Sequence, residues 1–383
     1  MTVDTFGERL QRARAVAGLS RAKAAKALEM SRADLSRIEC GRRRVSTLEL
    51  SRIARLYGKP SARCLVEPIG VPTVRYFPSA YRVDERDLMV IQEVGDWFDY
   101  YAWLEQGALG AQRYELPTYP LPPGNAVEQG EALAREERSR LGLGDDGSVP
   151  SMVALLEEQG AKIAVQDFHP RSRVFGCYLF SKSLGPCVIV NRRHPPARRR
   201  LAAAHEYAHL LVEQDDISGQ VCDPSREQAR DELRANAFAA AFLLPAGGIT
   251  AALEGMDTRT NEVTFDQTVV LSYDFGVSYH AIVARLAELG WIGRKRRRHL
   301  ERRAGLIRRH TPPGESGVPG DTESEPVRLQ SVAVEAWHAD QISTGKLADL
   351  LHLPRAGVRL LLSRPLLDQE RPHRVPSPEP DWL

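Results

Sequence analysis

Cysteine is scarce in this 383-residue sequence and follows no pattern. The five cysteines (Cys40, Cys64, Cys177, Cys187 and Cys222) are odd in number and form no Cys-x-x-Cys pair. That argues against a disulfide framework or a cysteine zinc ribbon, and for a reducing compartment. No apolar run approaches the roughly 20 residues that cross a bilayer. Met1-Thr2-Val3-Asp4 lacks the basic patch and apolar stretch of a secretory signal. A cytoplasmic protein with no membrane partner is therefore expected. A large charge excess is missing too, because the net charge is only +2, so the whole molecule is not a polycation. The charge is nevertheless uneven. Residues 9–63 are rich in Arg and Lys, and Arg294 to Arg309 holds nine basic residues against one acidic. Such runs supply phosphate contacts or form a solvated helix face.

The length suggests two or three domains. Helical periodicity with short turns runs through the first 66 residues. Residues 67–149 read as a linker region, with a helix near 84–106, the Pro-rich stretch Leu116 to Gly124, and a helix at 126–141. From 150 to 292 the pattern mixes types. Helix Met152 to Gln159 precedes strands Lys162 to Gln166, Val174 to Ser181 and Cys187 to Asn191. Helices follow at about 197–213 and 225–243, and two more lie around Phe275-Gly276. Residues 293–326 read as a basic and then flexible linker, 327–363 as a small helical module, and 364–383 as a loose tail. The fold class expected is multidomain: an all-α domain, then an α+β domain with a helical C-terminal extension.

In the first domain Ser20 and Ser31 each sit where a helix N-cap is wanted, and Gly41 ends the second helix where φ > 0 is easily reached. Two short helices joined by a tight turn set the second into a major groove. Arg32, Ala33, Ser36 and Arg37 would be its exposed residues, with Leu35 and Ile38 facing inward. Arg21, Arg42, Arg43 and Arg44 stand ready for phosphates, and Ser31 is a further candidate on the DNA face. Leu19-Ser20-Arg21 through Ala25, with Met30-Ser31-Arg32 through Gly41-Arg42, resembles the XRE/Cro-type repressor family over residues 5–65. The resemblance implies DNA as a partner and homodimers on paired half-sites. The family usually has Gln at Arg21 and Gly at Glu29, where a left-handed conformation is common.

The chemistry lies in His205-Glu206-Tyr207-Ala208-His209, inside a stretch from Arg198 to Glu213 without Pro or Gly. Helical residues four apart lie one above the other, so both imidazoles reach one metal ion, with Glu206 on the adjacent face as a proton acceptor. A zinc hydrolase needs a third protein ligand and one open position. Glu232 on the following helix is a candidate, with Asp231, Glu227 and Asp223 competing. Asn236, one turn beyond Glu232, is placed to hydrogen-bond a ligand histidine.

The segment Val188-Ile189-Val190-Asn191, the run Arg200 to Leu211, Glu232 to Ala239 and Leu243-Leu244-Pro245 together resemble the ImmA/IrrE metallopeptidase family. Phe275-Gly276-Val277-Ser278 and Arg285 to Gly290 extend the likeness, which covers about 150–292. It implies a zincin-like domain holding one Zn2+ through His205, His209 and Glu232, with Glu206 as general base. The family often has Leu-Gly where this chain has Tyr207-Ala208. It implies a protein substrate, an XRE-type repressor, in stress response or mobile-element regulation in the bacterial cytoplasm or nucleoid. Manganese or iron also suits two His and a carboxylate. Strand Val174 to Ser181 is expected to offer its edge to an extended substrate. Tyr178, His169 and His280 are unranked candidates for stabilising the oxyanion. The alternative function is a DNA-binding regulator that uses the peptidase fold as a non-catalytic sensor.

Overall fold

The computed structural model describes residues 19–43, 45–57, 84–108, 116–181, 184–214, 220–222, 229–256, 262–310, 326–351 and 353–363, with Gly7, Leu10, Gln11 and Arg14 ahead of them. The expected flexible linker after 310, the tail from 364, and Arg44, Asp223 and Glu227 lie outside the described residues.

Near the N-terminus, α1 (Arg21–Ala27) and α2 (Arg32–Glu39) are capped as the sequence requires. Ser20 accepts from the Lys23 amide and Ser31 from the Asp34 amide. Between them Glu29 takes φ +54°, and Gly41 closes α2 at φ +68°. With α3 (Thr47–Leu56) these helices bury Leu10, Ala24, Leu35, Ile38, Leu50 and Ile53 in a small core. Under it sits an ionic clasp. The carboxylate of Glu39, itself fully buried, takes Arg14 at 2.6 Å and Arg21 at 2.9 Å.

A second body is built on one sheet. Its strands β1 (Lys162–Gln166), β2 (Gly176–Ser181), β3 (Gly185–Asn191) and β4 (Gln220–Cys222) lie in the order β1-β3-β2-β4. The β1–β3 pair is parallel, and β2 is antiparallel to both β3 and β4. Alternation sends Ile163, Tyr178, Val188 and Val190 to one face and Ala164, Cys177, Cys187 and Ile189 to the other. Both faces are covered, which is why β3 reads as a continuous apolar run.

On the first face lie α5 (Ala126–Arg140), α6 (Met152–Glu158), α7 (Pro196–Val212) and α8 (Arg230–Leu243). Helices α9 (Ala246–Glu254), α10 (Phe265–Asp274), α11 (Tyr279–Glu288) and α12 (Arg294–His310) complete this side. The stretch Arg230–Glu254 is long and apolar enough to pass for a membrane span. It is two helices meeting at Pro245 and packed in the core. On the second face lie α4 (Glu85–Ala108), α13 (Arg328–His338), α14 (Thr344–Leu350) and α15 (Arg355–Ser363).

This arrangement changes the expected division of the chain. The region 67–149, read as a linker, contributes α4 and α5 to the two cores flanking the sheet, and the 327–363 helices share the core of α4. Trp97 donates to the Leu350 carbonyl at 3.2 Å, and Arg328 pairs with Glu105 at 2.7 Å. Phe98 is fully buried, with Trp97 and Tyr100 packed in the same core. A sheet apolar on both faces needs a second covering layer, and this chain draws it from segments more than 200 residues apart. Helices α5 and α8 approach closely at Gly130, where a Cβ would run into the Arg234 carbonyl and lie 2.8 Å from both the Ala237 Cβ and the Phe238 amide nitrogen.

Candidate active site

Helix α7 starts on Pro196 at its first turn and runs through Ala202-Ala203-Ala204, good helix formers that let it sink into the core. Its buried length carries His205, Glu206 and His209, all less than one-tenth exposed. Helix α8 crosses nearby and delivers Glu232 from its first turn. The Nε2 atoms of His205 and His209 stand 3.2 Å apart, and His205 Nε2 lies 3.2 Å from Glu232 Oε2. Ligand atoms of these three side chains lie within 4.8 Å of one another. Asp231, the neighbouring competitor, is not in that group.

The opposite ring nitrogens are already engaged. His205 Nδ1 faces Asn236 Oδ1 at 3.0 Å, the partner expected for a ligand histidine, and His209 Nδ1 faces Glu213 Oε2 at 3.1 Å. Sequence reasoning missed Glu213. It is held in turn by the Tyr178 hydroxyl, donating at 2.8 Å, and by Arg234, donating at 2.8 Å. The Tyr178 ring stacks on His209 with centroids 5.2 Å apart. The spacing of Glu213, four residues after His209, was the available signal, since residues i and i+4 share a helix face.

These contacts test whether a metal ion fits. A tetrahedral ion with arms of about 2.0–2.1 Å separates its ligand atoms by roughly 3.3 Å. The two 3.2 Å spacings match that edge, and Asn236 and Glu213 hold both rings with Nε2 turned inward. The charge matches as well. Burial pushes the His205 imidazole below its ordinary value, against the hydrogen bond to Glu232, and so favours the neutral ligand form. For His209 burial acts downward too, but the bond to Glu213 and the charges of Glu213, Glu206 and Glu232 outweigh it and raise the value. A pocket with three carboxylates around two imidazoles favours a cation.

Glu206 is fully buried and lies under β2. A Cβ on Gly176 would meet its Oε1 at 2.9 Å and the Ile189 carbonyl at 3.0 Å, so only glycine leaves the carboxylate its place. The outer edge of β2 was expected to receive substrate. Its first half is occupied instead, because Gly176, Cys177 and Tyr178 pair with Cys222, Val221 and Gln220 of β4. An extended chain joining this sheet on the β2 side over Gly176 to Tyr178 does so beside β4 or in its place.

Two family models match the chain. Residues 156–287, about a third of it, match the IrrE N-terminal-like domain of a peptidase family, and residues 5–63 match a helix-turn-helix domain. This chain joins a helix-turn-helix domain to an IrrE N-terminal-like peptidase domain. No curated protein matches it.

Within the peptidase domain, Tyr207 marks a local difference in the motif. Its hydroxyl donates to the buried Glu137 carboxylate on α5, which also takes Tyr119 at 2.7 Å and Arg140 at 2.6 Å. Its ring packs edge-on against Phe238 and Phe242 of α8. Burial, with Glu137 alongside, pushes the Tyr207 phenol well above its ordinary value, so it stays a donor. Of the oxyanion candidates, Tyr178 lies beside His209. Tyr178 is committed to Glu213, His169 faces Arg86 at 2.7 Å, and His280 is exposed beside Tyr279.

In the helix-turn-helix domain, Arg32, Ala33 and Arg37 are exposed, Ser36 is half-buried, and Leu35 and Ile38 point into the core. Arg42 is exposed as well. Two residues expected on the DNA face are otherwise engaged. Arg21 is drawn to Glu39, and Arg43 pairs with Glu49 at 2.7 Å. Ser31 is spent on capping α2 and donates to Asp34 at 2.6 Å. Cys177 and Cys187 are buried, and burial pushes both thiols up, which keeps them inert.

Proposed function

We propose that this protein is a DNA-binding, zinc-dependent endopeptidase of the bacterial cytoplasm that cuts a regulatory protein, an XRE-type repressor. The observation that carries the reading is the convergence of His205, His209 and Glu232, with Asn236 and Glu213 orienting the two rings. In this reading His205, His209 and Glu232 hold one Zn2+ per chain. Bound there, the ion would supply Lewis-acid chemistry, activating a water and polarising the scissile carbonyl. Glu206, beside His205 on α7 and beneath Gly176, takes a proton from the attacking water and returns it to the leaving amine. Arg234 and Tyr178 keep Glu213 turned to His209. Arg32, Ala33, Ser36 and Arg37 face the bases while Arg42 meets phosphate, and a homodimer would match paired half-sites.

A second reading, a regulator that senses through the peptidase fold without turnover, draws on the burial of Glu206 and of β2's edge. One set of measurements separates the two. Metal content is determined on the purified wild type and on His205→Ala, Glu232→Ala and Glu206→Gln. Near-stoichiometric zinc in the wild type, lost in the first two and kept in the third, supports the metal site. Loss of repressor cleavage and of derepression in Glu206→Gln then supports the enzyme, whereas unaltered regulation by that variant supports the sensor. A wild type that takes up no metal, even when zinc is added back, overturns the peptidase reading.

A further inference from the structure

Helix α12 sorts its cations into two groups. On its inner side Leu300 is buried in the core, and the Tyr279 hydroxyl donates to the Leu300 carbonyl at 3.2 Å. Arg296 and Arg303, seven residues apart, flank Leu300. Arg296 donates to the Val263 carbonyl at 2.7 Å, and the Arg303 guanidinium lies 4.5 Å from the centroid of the Phe265 ring. These two arginines hold the helix down. On the outer side Arg294, Lys295, Arg298 and Arg302 are exposed, and among the described residues no carboxylate pairs with any of them. Glu301 is committed to Arg297 at 2.8 Å.

The placement of these charges works against the helix that carries them. Five consecutive cations, Arg294 to Arg298, occupy the helix N-terminus, where the macrodipole favours acids, and the first turn has no acidic residue. A solvated face needs only mixed charge. Arg294, Arg298 and Arg302 form one stripe at i, i+4 and i+8, rising about 6 Å per step. A polyanion laid along that stripe relieves both the dipole conflict and the mutual repulsion.

We propose that the outer stripe of α12 is a second DNA contact, which grips the phosphodiester backbone of duplex DNA alongside the helix-turn-helix domain. Duplex DNA is the occupant because the same chain carries a domain that brings it near. Exposed Trp291 stands just ahead of the helix, but a track for unstacked single strands uses successive aromatics. The contact is to backbone, so it adds affinity and salt dependence without sequence preference. It draws nothing from the peptidase reading and stands whether or not the site binds metal.

The test uses the full-length protein and a 30-base-pair duplex of random sequence, with binding followed by fluorescence anisotropy between 50 and 200 mM salt. The variants are R294Q/K295Q/R298Q/R302Q, a charge-matched control R135Q/R171Q/R173Q/R359Q, and the lysine swap R294K/R298K/R302K. The glutamine variant is expected to bind more weakly and to lower the slope of log K against log salt by about 2–4, at roughly 0.9 for each phosphate that is no longer neutralised. The control and the lysine swap are expected to keep the wild-type slope and melting temperature, and the glutamine variant to melt no lower than the wild type because it relieves the dipole conflict. Unchanged binding by the glutamine variant overturns the proposal. So does an equal loss in the control, which marks a mere effect of net charge.

Discussion

His209 Nδ1 lies 3.1 Å from the carboxylate of Glu213, one helical turn further on, and that carboxylate is pinned from two other elements by Tyr178 and Arg234. A histidine ring held this way cannot swing its Nε2 away from His205 and Glu232. The sheet, the histidine helix and the glutamate helix all meet at one side chain. Replacing Glu213 by Gln keeps its shape and removes its charge. Zinc affinity, measured by competition with a chromophoric chelator, is expected to fall 10–100-fold with helical content unchanged. Wild-type affinity in that variant would remove Glu213 from the metal site's support.

Gly176 predicts a different defect. An Ala there places its Cβ 2.9 Å from Glu206 Oε1, with the Ile189 carbonyl closing the other side. The carboxylate must give way because the backbone cannot. On the proposed reading, Gly176→Ala is expected to retain zinc while repressor cleavage slows about 100-fold, the lower end of what a positioned general base contributes. Cleavage at the wild-type rate would show that Glu206 tolerates the shift.

Tyr207→Phe keeps the ring against Phe238 and Phe242 and deletes only the hydroxyl that reaches Glu137. Glu137 is fully buried and loses one of its donors. The expected cost is about 1–3 kcal/mol in unfolding free energy, read from denaturant midpoints. A midpoint equal to the wild type's would mean that Tyr119 and Arg140 suffice.

In the helix-turn-helix domain Glu29 holds φ +54° with a full side chain. The left-handed conformation costs an L-residue roughly 1–2 kcal/mol, and glycine avoids that cost, offset in part by the greater freedom of glycine in the unfolded chain. Glu29→Gly is therefore expected to stabilise this domain by about 0.5–1 kcal/mol, seen as a higher melting temperature. A lower one would mean that the Glu29 side chain makes a compensating contact.

Much of this molecule is local and was readable in one dimension. Strand Lys162 to Gln166 ends where its apolar run ends, Ser20 and Ser31 cap the helices they precede, and His205 and His209 meet because a helix repeats every 3.6 residues. Glu29's position in a turn that wants glycine was legible for the same reason. Partner choice across the fold was not. Glu137 meets Tyr207 from 70 residues away, Arg234 meets Glu213 from 21, and Trp97 meets Leu350 from 253. Hydrophobic patterning told that α4 and α5 were helices with an apolar side, but not which surface would cover that side. That was decided by a sheet apolar on both faces, which drew one layer from residues 126–310 and the other from the segments on either side of them, 85–108 and 328–363. Strand β4 is three residues long and too short to carry a period, so only folding could reveal that it lies on the edge of β2.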